Sequence, residues 1–118
     1  MKYNDDIGEV VPFVLNWIKS REKGKPIARQ CEMAVIKKVK RTGYGFYCDL
    51  EVPETASDEV SSAYTGVFGK SSKSGDVLSF ILHANNGRIE CMEGYSMITG
   101  EWPSHVIGVF ELTADKSL

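Results

Sequence analysis

Long hydrophobic runs are missing from this chain. Its apolar stretches last only a few residues, too short for a helix that crosses a bilayer. No leader is expected from the residues at the start: Met1-Lys2-Tyr3-Asn4-Asp5-Asp6 is polar and acidic where a signal peptide needs a basic stretch followed by an apolar one. Basic excess is missing, since the formal net charge is −2, and this disfavours a nucleic-acid binder. Cysteine is scarce. Cys31, Cys48 and Cys91 make an odd count with no C-x-x-C pair, so the expectation is three reduced, mostly buried thiols in a reducing, cytoplasmic compartment. Two histidines, His83 and His105, and three scattered cysteines give no zinc-ligand spacing, so neither a metal nor a cofactor is expected. There is no internal repeat, heptad pattern or low-complexity tract.

What is present suits one globular domain over residues 1–118, with 42% hydrophobic and 25% charged residues. A chain of this size can bury a core without disulfides or metals. Asp6 and Glu9 form a capping-box spacing ahead of Ile7, Val10, Val11, Val14 and Ile18, which recur at helical intervals. Lys19, Arg21 and Lys23 suit a helix C-terminus, and Gly24 suits the position just past it. Pro12 conflicts with a helix beginning at Ile7, because it removes an amide and crowds the Gly8 carbonyl. The regular helix is therefore expected over residues 9–23, with Pro26 ending that element.

Beyond it, Cys31 to Thr42 and Tyr44 to Val52 read as two long strands around Thr42-Gly43. With Arg41 opposite Tyr44, one face collects Met33, Val35, Val39, Phe46, Cys48, Leu50 and Val52, while Lys38, Lys40, Tyr47, Asp49 and Glu51 form a wet face. Residues 53–61 read as a polar loop and Ser62 to Phe68 as a short strand. The glycine- and serine-rich stretch from Gly69 to Gly75 does not fit G-x-x-x-x-G-K-S/T and is not a phosphate loop. Val77 to Ala84 and Arg88 to Tyr95 flank Asn85-Asn86-Gly87, and Asn-Gly suits a two-residue type I′ turn. Val106 to Leu112 reads as a last strand. The fold expected is α+β: an N-terminal helix packed on a twisted antiparallel sheet of about five strands, as in cystatin-like and nuclear-transport-factor-like architectures.

Several residues invite a functional reading. Placing Asn85 opposite Arg88 sets His83 against Glu90, which is either an ordinary cross-strand pair or a poised acid–base pair. The same register sets Glu93 against Phe80 on the apolar face, where an ionised carboxylate is costly. Three explanations stay open for Glu93: a bulge at Gly94 that turns it outward, a partner such as Tyr95 or helix-end amides, or a cleft that makes it a base. Ser104-His105 has no nucleophile-elbow context and no assignable acid, so no hydrolytic triad is expected. From Asp49 to Glu59 the chain carries five acids and no base (Asp49, Glu51, Glu54, Asp58 and Glu59). From Lys37 to Arg41 it carries four bases and no acid (Lys37, Lys38, Lys40 and Arg41). The acidic run is either a solvated surface or a patch offered to a basic partner. Trp102, before Pro103, either covers the sheet or anchors an interface.

The segment from Leu78 to Tyr95, with Trp102-Pro103 beyond it, resembles small bacterial proteins in which a hydrophobic strand, an Asn-Gly or Asp-Gly turn and a returning strand close on Leu-or-Met followed by Glu-Gly-Tyr. Some of these resemble immunity proteins of bacterial toxin systems, including contact-dependent growth inhibition. The likeness covers about a quarter of the chain. It implies a small cytoplasmic protein, not an enzyme, that binds and neutralises a cognate toxin. Many toxin domains are basic nucleases, and charge complementarity would speed their capture. On this reading Asp49, Glu51, Glu54, Asp58, Glu59 and Trp102 meet the partner. The first alternative is a small-molecule-binding or enzymatic domain whose cleft holds His83, Glu90, Glu93 and Tyr95. The second is a homodimer formed through an exposed strand edge.

Overall fold

The computed structural model describes residues 7–53, 59–60, 63–71, 75–98, 100, 102 and 110–114, with Ser71 and Phe110 described by backbone alone. Helix α1 (Ile7–Arg21) buries Ile7, Val10, Val11, Val14, Leu15 and Ile18, the apolar stripe that the helical spacing anticipates. It begins at Ile7 rather than at residue 9, and Pro12 lies inside it. Gly8 is exposed, so solvent is at hand for the carbonyl that Pro12 cannot serve. Gly24, at φ 87°, makes the left-handed turn beyond the helix.

Pro26 then opens a second helix instead of only ending the first. Helix α2 (Pro26–Met33) has proline at its first position, where the missing amide would have had no partner anyway. Cys31 and Met33, expected in a strand, belong to this helix, which buries Ile27, Ala28, Gln30 and Cys31.

Among the described residues the sheet has six antiparallel strands, β1 (Val35–Thr42), β2 (Gly45–Glu51), β3 (Tyr64–Ser71), β4 (Val77–Asn85), β5 (Arg88–Ser96) and β6 (Phe110–Thr113), in the order β1-β2-β5-β4-β3-β6. Both helices cover one face. There Val10, Val14 and Ile18 meet Phe46, Cys48, Leu78, Phe80, Leu82, Ile89 and Met92 in a single cluster, each residue at most 1% exposed. The molecule is 20 Å across its shortest axis, the thickness of one helix layer on one sheet. No helix among the described residues is long and apolar enough to cross a membrane.

Two registers differ from expectation: one through a turn placed one residue later and a bulge, the other through a bulge alone. In β1–β2, Thr42 pairs with Gly45 and Arg41 with Phe46, so Gly43-Tyr44 is the turn. A bulge between Ile36 and Lys38 then puts Ile36, not Val35, opposite Leu50 on the helix side. In β4–β5, Asn85 pairs with Arg88 and Ala84 with Ile89, as the Asn-Gly turn requires; Asn86 and Gly87 both have positive φ, 53° and 82°. A bulge at Glu90 then shifts the rest by one place, so that His83 faces Cys91, Leu82 faces Met92, Ile81 faces Glu93 and Phe80 faces Gly94. The shift buries Met92 and carries Glu93 to the opposite face. This spares the cost of an ionised carboxylate in the core.

Candidate functional site on the open sheet face

The face away from the helices collects alternate residues of three adjacent strands. They are Tyr47 and Asp49 of β2, Cys91, Glu93 and Tyr95 of β5, and Ile81 and His83 of β4. Glu93 is the hub. His83 Nε2 lies 2.9 Å from Glu93 Oε1, and the Tyr47 hydroxyl donates to the same carboxylate. The negative charge of Glu93, with some desolvation and that hydrogen bond, holds the Tyr47 phenol above its usual range. His83 therefore pairs with Glu93 rather than with Glu90. Glu90 occupies the bulge and is exposed.

Burial raises the Cys91 thiol above its ordinary range, and it raises Cys48, behind it in the core, to about 11 and Cys31 to about 12. All three cysteines are free and stay protonated at neutral pH, which makes them poor nucleophiles. Among the described residues no cluster of three His, Cys, Asp or Glu side chains could hold a metal. The arrangement offers hydrogen-bond acceptors, Glu93 and Asp49, flanked by the rings of Tyr47 and Tyr95. A cationic side chain docks well on such a surface through charge and ring faces together. Toward β3, Ile81, Tyr95, Phe68 and Met97 border a shallow concavity of about 430 Å³.

The acidic run is divided rather than gathered. Asp49 and Glu51 stand on the open face, opposite Lys38 and beside Lys37, whose Nζ lies 3.3 Å from Glu51. Glu59 instead borders a concavity on the helix side with Glu22, Lys25 and Tyr64. Glu54 and Asp58 lie outside the described residues, as does His105. Trp102 turns inward. It is half-buried and meets Phe46 edge-on at 5.2 Å and Phe80 at 6.0 Å.

Glycine supports both the core and the site. A Cβ at Gly94 would stand 2.4 Å from the Phe46 ring, and one at Gly45 would stand 1.9 Å from the Gly94 carbonyl. The Glu93-Gly94-Tyr95 element thus sends its outer residues to the open face and leaves Gly94 beneath Phe46.

Two supporting residues carry no recognisable motif. Gln30 is fully buried; its Nε2 donates to the Gly87 carbonyl at 2.8 Å, and its Oε1 accepts from the Ile89 amide at 2.9 Å. Asp76, 1% exposed, accepts from the Val77 amide at 2.8 Å and the Ser96 hydroxyl at 2.7 Å. Ser96 in turn accepts from the Gly100 amide at 3.1 Å, which shapes the approach to Trp102. A buried glutamine in a short helix and an aspartate after a glycine are the only traces either leaves in the sequence.

The fold and site together define an α+β domain with one covered and one open sheet face. No protein family, no curated protein and no solved structure matches this chain.

Proposed function

We propose that this chain is a binding protein that neutralises a toxin domain by direct contact, using the open face of its sheet. The observation that carries the reading is the Tyr47–Glu93–His83 group with Asp49 and Tyr95, an acidic and aromatic surface on a rigid sheet. Tyrosines supply contact area at low entropic cost, and paired carboxylates select a cationic partner such as a basic nuclease. The alternative, a cleft between helices and sheet with Glu93 inside, is poorly supported. The space beneath the helices is filled by Val10, Val14, Phe80 and Met92, and Glu93 lies on the other side of the sheet.

The test is co-expression with the product of the adjacent reading frame. The expected result is restored growth and a one-to-one complex. Tyr47→Ala with Tyr95→Ala should weaken that complex by at least about tenfold, roughly 1.4 kcal/mol. Charge reversal at Asp49, Glu51 and Glu93 should slow association, most strongly at low salt. A harmless neighbour that does not bind, or a complex indifferent to all these changes, would sink the reading.

A further inference from the structure

The open face is not the whole unpartnered surface. Strand β1 ends the sheet, and among the described residues no strand lies outside it. It is exposed from Val35 to Arg41. From Ile36 to Lys40 its side chains sort in kind as well as in direction, while Val35, opposite Glu51, and Arg41, opposite Phe46, depart from the pattern. Ile36 and Val39 point to the helix side, yet are 39% and 37% exposed because the helices do not reach them. Lys38 and Lys40 point to the open side, and Lys37 leaves the bulge toward Glu51. Four of the seven residues from Val35 to Arg41 are basic.

We infer that β1 accepts an extended segment of another protein in which acidic and apolar residues alternate, added as a further antiparallel strand. An edge strand already presents unused amides and carbonyls in a row, and strand addition draws its affinity from them. Selectivity comes from the side chains. On the new strand, apolar residues would lie beside Ile36 and Val39, and acids would lie beside Lys38 and Lys40. A second copy of this chain is a poor occupant. Pairing β1 with β1 sets lysine and arginine against lysine and arginine, and like charges placed opposite each other destabilise a sheet. The far edge, β6, offers only four residues and a single acid, Glu111. Lysine on an edge also keeps a strand from self-pairing, so the same charges that select an acidic segment reject copies of the chain. This surface goes beyond the toxin-binding reading and stands or falls apart from it.

The probe is an eight-residue peptide alternating glutamate and valine, matched in length to β1, with an alternating lysine and valine peptide as control. Amide shifts of the labelled protein should move in residues 35–42 with the acidic peptide only, and binding should weaken as salt rises. Lys38→Gln with Lys40→Gln, which avoids a like-charge pair against Asp49, should lower acidic-peptide affinity at least about tenfold. Lys40→Glu alone should bring the lysine peptide closer to parity, and circular dichroism checks that each variant keeps its fold. Equal binding of the two peptides, shifts confined to the open face, or no binding by the wild type would overturn the assignment. Growth of molecular mass with concentration in light scattering would also overturn it, by assigning the edge to another copy. Ile36→Thr with Val39→Thr, whose side chains lie on the helix side of the edge opposite Leu50 and Cys48, should weaken acidic-peptide binding and leave toxin capture by the open face unchanged, which keeps the two surfaces distinguishable.

Discussion

Gly94 shows how little room one position can have. Replacing it with alanine forces either the Phe46 ring or the β5 backbone to move, and such overpacking typically costs about 1–3 kcal/mol. Urea unfolding of Gly94→Ala should show a loss of that size. Because Phe46 also packs against Trp102, tryptophan fluorescence should shift with it. Tyr64 and Glu22 give a second residue-scale expectation. The Tyr64 hydroxyl donates to Glu22 at 2.5 Å, and burial followed by that bond pushes the phenol up to about 12 from an ordinary 10. A raised folded pKa favours the protonated form. The contribution is therefore complete below pH 10 and is lost as pH rises toward 12. For Glu22, the Tyr64 and Lys25 hydrogen bonds lower the pKa, so its contribution is present above the ordinary carboxylate range and is lost as pH falls through the lowered value. Unfolding of the wild type and Tyr64→Phe compared across alkaline pH should show the steeper decline in the wild type. At this scale the sequence was legible wherever a residue's role follows from its own chemistry. Glu93 stood out as a costly charge on the apolar face, but which of three explanations held, and with which partners, could not be read, because the bulge lies at Glu90 and not at Gly94.

Elements were legible where periodicity is long and turns have chemistry. The stripe of α1 and the Asn86-Gly87 turn both came through. Helix α2 did not, because eight residues carry barely two turns of pattern and Pro26 reads equally as an end or a start. The two bulges were hidden for a different reason: their extra residues, Lys37 and Glu90, are ordinary strand-surface types without glycine's signature. Gln30 joins α2 to the β4–β5 hairpin across 57 positions of sequence. Replacing it with leucine leaves the Ile89 amide without its buried partner, at roughly 1–3 kcal/mol, while the Gly87 carbonyl keeps the Val60 amide at 2.9 Å. Hydrogen exchange on Gln30→Leu should report faster exchange at Ile89, with the amides of α1 changed only through global stability.

At the scale of the whole molecule, two helices on six strands leave the chain asymmetric, with one sheet face sealed and the other open. The α+β class was readable from one amphipathic helix followed by alternating strands. The last strand was read between Val106 and Leu112, but its pairing with β3 and the division of the acidic run were not, because both depend on which strands become neighbours. The asymmetry also constrains any complex. A partner bound as proposed should slow exchange across the centre of β2, β5 and β4, whose outward side chains form the site, while the helices keep their free-state rates. A footprint on α1 and α2 would contradict the open-face reading.

The extra residue at Glu90 gives this hairpin an unusual relation to length change. Loops beside turns ordinarily accept the gain or loss of a residue, and Glu90 lies only three positions beyond Gly87. Removing it would join Ile89 to Cys91, so the ladder would run on from Ala84 opposite Ile89 to His83 opposite Cys91, with Met92 still in the core and Glu93 still opposite Ile81. One codon lost there would erase the bulge and leave the inside and outside of the strand as they are. In a lineage carrying this domain, that position should therefore accept a deletion that few other places inside a strand would survive.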